Sequence, residues 1–100
     1  MLIIDLVYTG TLDQIDQVLL EHRNFLQKYY DLGILLASGP KNPREGGIII
    51  ALGSKSQMEE IIKEDPFYQN NLAVYKFTEF NPVKYAEVLK DLLNKKFKKI

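Results

Sequence analysis

The single histidine of the chain, His22, is the residue best suited to proton transfer near neutral pH, because histidine side chains titrate at about pH 6.5. It lies four residues after Val18 and three and four residues before Phe25 and Leu26. A helix through this segment would turn all four side chains toward one apolar side. A histidine in that position is either a core residue bonded to a backbone carbonyl or a general acid or base. The pattern leaves both interpretations open.

A carboxylate that orients such a histidine has to come from elsewhere in the chain, since the nearby Glu21 and Asp16 lie off the apolar side of the helix. Asp65, in the segment EDPFY, is a candidate. An aspartate followed by proline is also a typical N-cap of a short helix. Two roles for Asp65 therefore stand side by side: a helix cap, or the group that fixes the tautomer of His22.

The segment SGPKNPREGGIII, residues 38–50, offers a third set of polar groups. Ser38, the backbone around Gly39 and the guanidinium of Arg44 can each hold a ligand oxygen, and arginine binds carboxylates or phosphates through two parallel hydrogen bonds. The alternative for Arg44 is a solvated turn residue beside Glu45. A P-loop is excluded, because these glycines lead into a strand and not into a helix.

Several other classes of site are disfavoured by the composition. One histidine, no cysteine and no carboxylate cluster argue against a metal site. Thirteen basic and thirteen acidic residues leave no net charge to attract nucleic acid or an anionic membrane. The strand GGIIIALG lacks the stacking aromatic residues of RNA-binding sheets. The lysines at 95, 96, 98 and 99 are typical of a solvated helix end.

The length and the composition predict one soluble domain covering residues 1–100, with 46% hydrophobic residues available for a core. The longest apolar run, 48–52, is far shorter than the roughly 20 residues that span a bilayer. Without cysteines or a signal-peptide pattern at the N-terminus, the expected location is the cytoplasm.

The elements that must position these residues follow from apolar periodicity and turn signals. The pattern predicts strands over 1–8, 34–37, 47–52 and 72–80, a helix capped by Asp13 and stopped by Gly33, a helix capped by Ser54 or Ser56 and ended at Asp65, and a third helix opened by Asn81-Pro82. The order β-α-β-β-α-β with a trailing helix indicates an α+β, ferredoxin-like fold, with a four-stranded antiparallel sheet and helices on one face.

Three of the predicted strands carry apolar residues on both alternating faces. In the first strand, for example, Ile4 and Leu6 alternate with Ile3 and Val7. Because two or three short helices cover only one face of a sheet, the other face must meet the trailing helix or a second copy of the chain, and we predict a two-fold homodimer packed sheet to sheet.

Three segments together resemble the YciI-like family: HRNFLQKYYDLGILLASGP, then GGIIIA, then EDPFY. The resemblance covers residues 1 to about 82. It implies a ferredoxin-like fold that pairs into a dimeric α+β barrel, and an active site built from a histidine and an aspartate that match His22 and Asp65, with Ser38, Gly39 and Pro40 nearby. Many members carry an arginine three residues before the histidine, where this chain has Leu19.

These observations lead to one hypothesis and one competitor. The hypothesis is a small-molecule enzyme of lyase or isomerase type, needing no cofactor. In it His22 moves a proton, Asp65 orients the imidazole, and Phe67 walls a pocket whose polar groups come from Ser38 to Pro40 and Arg44. The competitor is a non-catalytic dimeric module that binds a small ligand or serves as an accessory subunit. Fold alone does not separate the two.

Overall fold

The computed structural model describes the backbone of residues 1–98 and the side chains up to residue 94. The elements in chain order are β1 (Leu2–Tyr8), α1 (Leu12–Gln17), α2 (Leu19–Asp31), β2 (Leu35–Pro40), β3 (Gly46–Ala51), α3 (Lys55–Ile62), α4 (Pro66–Gln69), β4 (Ala73–Glu79), a 3₁₀ turn (Glu87–Leu89) and α5 (Lys90–Lys98).

The four strands form one antiparallel sheet in the order β2-β3-β1-β4. The first strand therefore lies in the middle of the sheet, between two strands that are distant from it in sequence. This is the ferredoxin-like α+β arrangement, and the prediction of the fold class is confirmed.

The core lies on the face of the sheet that helices α1 to α4 cover. In β1 the side chains of Leu2, Ile4 and Leu6 are buried there, and they pack in one cluster with buried residues of all four helices. The alternate residues of β1 lie on the outer face, where Val7 is 45% exposed. The strand thus shows the alternation of a sheet whose two faces have different surroundings.

The first predicted helix is in fact two helices, and its cap is not Asp13. Thr11 caps α1: its hydroxyl accepts a hydrogen bond from the Gln14 N–H at 3.2 Å, and the Gln14 side chain accepts one from the Thr11 N–H at 2.9 Å. This reciprocal capping box satisfies two donors at the helix start, and it leaves Asp13 in the first turn. The helical path breaks at Val18, whose φ and ψ are −115° and 11°.

Two other helix boundaries were predicted correctly. Gly33 follows α2 with a φ of 75°, the left-handed conformation that favours glycine. Ser54 caps α3, where its hydroxyl accepts a hydrogen bond from the Gln57 N–H at 3.2 Å.

The third predicted helix begins later than expected. Residues 81–86 are not helical, and the chain becomes helical only at the 3₁₀ turn and α5. Val83, which the pattern assigned to an apolar helix face, is 85% exposed, whereas Leu93 in α5 is buried. The lysine side chains at 95, 96, 98 and 99 lie outside the described residues.

Candidate active site

His22 and Asp65 are in direct contact in the interior of the domain. Nδ1 of His22 lies 2.8 Å from Oδ1 of Asp65, although the two residues are 43 positions apart in the chain. Asp65 is completely buried and His22 is 9% exposed. A carboxylate withdrawn from water in this way requires hydrogen-bonding partners.

Asp65 is held in place because it is also the N-cap of α4. Its Oδ1 accepts a hydrogen bond of 3.0 Å from the Phe67 N–H, and Pro66 occupies the first position of the helix. The two roles that the sequence left open therefore coexist in one side chain. The helix start fixes the position of the carboxylate, and the carboxylate contacts the imidazole.

Tyr75, in β4, supplies the third donor to Asp65. Its hydroxyl donates to Oδ2 at 2.6 Å, so both carboxylate oxygens are bonded. Burial raises the pKa of the Tyr75 phenol far above its ordinary value, and the charge and hydrogen bond of Asp65 raise it further. The phenol is therefore a proton donor throughout the neutral range.

Tyr75 was not among the site residues predicted from the sequence. Alternation within β4 would have placed it on the helix-covered face, but no local pattern indicates which side chain meets Asp65 across the core.

The hydrogen bonds around Asp65 determine which ring nitrogen of His22 carries the proton. When Asp65 is ionised it has only acceptors, so Nδ1 of the neutral imidazole carries the proton and Nε2 carries the lone pair. Nε2 makes no hydrogen bond with the described residues, and it is not sealed from solvent. This arrangement makes Nε2 the atom that is open to a ligand.

An aromatic stack fixes the plane of the imidazole. The centroids of the Phe67 and His22 rings are 3.9 Å apart, and the interplanar angle is 9°, so the two rings are stacked. Phe25 flanks the imidazole at 6.5 Å. Phe67 is itself almost fully buried, and its ring meets the edge of Tyr8 at 5.9 Å. The imidazole is thus held by packing on its faces and by a hydrogen bond at Nδ1.

A cavity of 530 Å³ lies between α2 and the β2–β3 pair, and His22 is part of its wall. A volume of this size suits a small organic ligand. The other predicted ligand-binding residues also line it: Ser38, Gly39, Pro40, Arg44 and Phe67. Asp65 does not line the cavity, since it lies buried behind the imidazole.

Ser38 reaches the cavity because of an irregularity in β2. The prediction that this strand ends at residue 37 was wrong, because pairing with β3 continues to Pro40. Leu35 pairs with Ala51 and Ala37 pairs with Ile50, so β2 carries one extra residue, a β-bulge. Plain alternation from Leu35 would have placed Ser38 on the outer face of the sheet.

With the bulge, Ser38 lies opposite Ile49 on the helix-covered side. There its hydroxyl is 2.6 Å from the hydroxyl of Tyr30. The hydrogen bond positions a hydroxyl that can donate to a ligand or accept from it.

Two glycines shape the floor of the site. A Cβ on Gly46 would lie 1.9 Å from the Leu6 carbonyl oxygen, so only glycine allows β3 to approach β1 this closely. Gly47 lines the cavity itself, and its missing side chain leaves space next to β2.

The polar end of the cavity carries Arg44, Asp16 and Arg23. Nη2 of Arg44 lies 2.5 Å from Oδ1 of Asp16. Arg23, which directly follows the histidine, was missed by the sequence analysis. A helix places neighbouring residues about 100° apart, so a residue next to an inward-facing histidine would be assigned to the solvent side.

The described residues contain no group of three or more histidine, cysteine or carboxylate side chains that could hold a metal ion. None of the helices described is long and apolar enough to cross a membrane.

Comparison with known proteins shows a family and a solved structure of similar fold. The family model described as YCII-related domain matches residues 1–81. The fold is similar to that of 5-chloro-2-hydroxyhydroquinone dehydrochlorinase (TftG) from Burkholderia phenoliruptrix AC1100, solved in complex with 2,5-dihydroxybenzoquinone, with a TM-score of 0.67 and 16% sequence identity over 81% of this chain and 94% of that chain. No curated protein matches the chain significantly.

Proposed function

The chain belongs to the family of YCII-related domains, and from that premise we propose that it is a small-molecule enzyme of lyase or isomerase type that uses His22 to move a proton. The observation that carries the proposal is the contact of 2.8 Å between Nδ1 of His22 and Asp65, with His22 in the wall of the cavity and its opposite ring nitrogen without a hydrogen bond among the described residues. A histidine held by a carboxylate on one side and free on the other is the usual arrangement of a general base.

The proposed chemistry is the removal of a proton from a carbon next to a carbonyl or phenolic group. Nε2 of His22 takes the proton, and the electron pair of the broken C–H bond moves toward the adjacent oxygen or expels a leaving group from the neighbouring carbon. Asp65 stabilises the imidazolium that forms, because its negative charge lies next to Nδ1. The proton then returns to the product or passes to solvent, and the step requires no cofactor.

The groups that receive the substrate oxygens lie across the cavity from the helix. The Ser38 hydroxyl and the backbone at Gly39 are on the strand side, where charge developing on a substrate oxygen can be stabilised by hydrogen bonds. Phe67 and the apolar wall exclude water from the reacting carbon. Arg44, paired with Asp16, can donate to a substrate oxygen at the polar end.

The related structure supports this class of substrate. That protein is named a dehydrochlorinase and was solved with an oxygenated six-membered ring compound. Expulsion of chloride after loss of a proton is a lyase-type reaction, and it needs the same kind of base. We therefore place small oxygenated ring compounds first among the substrates to be tested.

The proposal is tested by proton exchange at carbon, which requires no knowledge of the product. The protein is incubated in D₂O with a panel of enolisable ketones and hydroxylated quinols, and loss of C–H signals is followed by NMR. We expect exchange with at least one compound, and its abolition in His22→Gln. Asn24→Ala, an exposed change on the same helix, is the matched control and should exchange normally. Binding without exchange would favour the ligand-binding module instead.

We also propose that two copies of the chain pair through the outer face of the sheet. Val7 and Val74 lie opposite each other in the β1–β4 register, on the face away from the helices, and are 45% and 56% exposed. Ile3, Ile48 and Ile50 on the same face are only half-buried. Several apolar side chains on one uncovered sheet face are typical of an interface.

The dimer is tested by light scattering at micromolar concentration. We expect a mass of two chains, and dissociation of the dimer in Val74→Lys. Val83→Lys is the matched control, because Val83 is 85% exposed outside the sheet. A mass of one chain for the unmodified protein would contradict the proposed pairing.

A further inference from the structure

We propose that the polar end of the cavity is a subsite for an oxyanion, a carboxylate or a phenolate, borne by a small apolar ligand, and that Arg23 is its principal partner. The inference deepens the proposed function, on which it rests for the placement of the ligand against His22. It names the chemical class of ligand that the cavity selects.

The charges that line the cavity do not balance. They are one carboxylate, Asp16, and two guanidinium groups, Arg23 and Arg44. The ion pair of 2.5 Å between Arg44 and Asp16 neutralises one of the two cations. Arg23 has no carboxylate within ion-pair distance in the part of the chain whose side chains are described. The polar end therefore keeps one positive charge available to a ligand.

The charges of both guanidinium groups act on the Asp16 carboxylate. The hydrogen bond from Arg44 holds the pKa of the Asp16 carboxyl below its ordinary range, and the charges of Arg44 and Arg23 lower it further, against the opposing effect of burial. The charge of Arg23 is thus felt at a point where Arg44 already binds a carboxylate. Asp16 shows within the molecule that this corner accommodates such a group.

The position of Arg23 relates the subsite to His22. The two residues are adjacent in α2, so the imidazole points into the domain while the arginine lies at the exposed rim of the same cavity. A ligand can therefore place an ionised group against Arg23 while a neighbouring carbon faces Nε2. A charged group at the rim also avoids the cost of full desolvation.

The remaining wall of the cavity sets the body of the ligand. Its apolar part includes Leu6, Leu19, Leu26 and Phe67, which offer apolar and aromatic contact and no charge. Together with a volume of 530 Å³, this wall suits a single substituted ring. The positive rim and the apolar interior together select an amphiphilic anion.

Arginine recognises such groups by shape as well as charge, since its planar fork matches the two oxygens of a carboxylate. The position three residues before His22 is Leu19, an apolar wall residue, so that position contributes no cation. The unpaired positive charge of the site comes instead from Arg23, the residue after the histidine.

The experiment compares benzoate with benzamide, a neutral compound of nearly the same shape. Binding is followed by NMR through the ring resonances of His22 and the Nε–H resonances of arginine. We expect benzoate to bind at least about tenfold more tightly than benzamide, because a charge-assisted hydrogen bond contributes that much. Arg23→Gln should remove this preference and leave the affinity for benzamide unchanged. Asp16→Asn should strengthen benzoate binding, because it frees Arg44.

Lys28→Gln is the matched control. It removes one positive charge from the same helix, but Lys28 is paired with Glu64 and lies outside the cavity, so benzoate binding should not change. The inference is overturned if benzoate and benzamide bind equally, if neither perturbs His22, or if Arg23→Gln and Lys28→Gln have the same effect.

The result is separable from that of the proton-exchange experiment. Selective binding of benzoate that depends on Arg23, with no exchange at any carbon acid, supports the subsite and overturns the proposed reaction. Exchange that depends on His22, with no preference for the anion, does the reverse.

Discussion

The hydroxyl of Tyr75 donates a hydrogen bond of 2.6 Å to Oδ2 of Asp65, the carboxylate oxygen that His22 does not contact. Because Asp65 is completely buried, no water replaces this donor if it is lost. The tyrosine thus completes the set of three donors that holds the carboxylate behind the imidazole. Its position in the edge strand β4 connects the stability of the sheet to the geometry of the site.

Tyr75→Phe is expected to lower the free energy of unfolding by about 1–3 kcal/mol, since it leaves a buried carboxylate oxygen without a partner. Urea unfolding measures the change. Tyr68→Phe is the control: Tyr68 is 46% exposed, and its hydroxyl makes no hydrogen bond with the described residues, so that stability should change by less than about 0.5 kcal/mol. Equal stabilities of the two variants would contradict the role assigned to Tyr75.

Alkaline titration should show that Tyr75 stays protonated in the folded protein. Its pKa in the folded protein lies far above the ordinary value of 10.0, because of burial and the charge of Asp65. The pKa of Tyr29 is also raised, chiefly by burial. A group whose pKa is raised on folding contributes its stability below the unfolded value, and that contribution is lost as the pH rises above about 10.

Phenolate absorbance should therefore show Tyr75 ionising only as the chain unfolds at high pH. Tyr75→Phe should therefore lower the absorbance change that accompanies unfolding at high pH and leave the change that precedes it, the reversible part, as it is. A Tyr75→Phe variant that loses amplitude from the reversible part would show that Tyr75 ionises in the folded state, against this prediction.

Asp65→Asn should separate the two roles of Asp65. Asparagine is a good N-cap, so the hydrogen bond to the Phe67 N–H can persist and α4 should remain. The negative charge beside Nδ1 is lost, and proton exchange catalysed by His22 is expected to fall by about 10²–10⁴-fold. Circular dichroism verifies the fold, and the D₂O experiment gives the rate.

The complementary variant is Asp65→Ala, which removes cap and charge together. It should cost about 1 kcal/mol or more in addition, measured by urea unfolding. If Asp65→Asn exchanges protons as fast as the unmodified protein, Asp65 is only a cap.

Much of the fold could be predicted from local patterns, and the exceptions have physical reasons. The stop at Gly33 and the cap at Ser54 depend on neighbouring residues, and both are visible in the sequence. Thr11 was overlooked because Asp13 is an equally good cap by type, and only the reciprocal bond with Gln14 decides between them. The start of the last helix was predicted too early because the apolar Val83 suggested a packed helix face, although this side chain is exposed.

The site was less predictable, because its decisive contacts join residues that are distant in sequence. Periodicity assigned His22 to the interior, but the partner at Oδ2 of Asp65 comes from β4, and no spacing rule identifies it. The placement of Ser38 depends on a bulge, and a single extra residue reverses the face on which every later side chain lies. Arg23 was overlooked because it lies at the rim of the cavity, where a solvent-exposed residue can also line the site.

The two adjacent glycines of β3 predict different effects. Substitution of Gly46 should mainly lower the stability of the fold, whereas substitution of Gly47 should mainly weaken ligand binding. Gly46→Ala places a Cβ 1.9 Å from the Leu6 carbonyl oxygen, which is backbone and cannot move aside, so β1 and β3 must separate. We expect a loss of about 1–3 kcal/mol in urea unfolding.

In Gly47→Ala the nearest atom to the new Cβ is the Gly39 carbonyl oxygen at 3.1 Å. This contact needs only a small shift, so the free energy of unfolding should fall by less than about 1 kcal/mol. The new methyl group enters the cavity, however, and benzoate binding should weaken. Unchanged binding in a folded Gly47→Ala variant would place the ligand away from β3, and so away from the strand side of the proposed site.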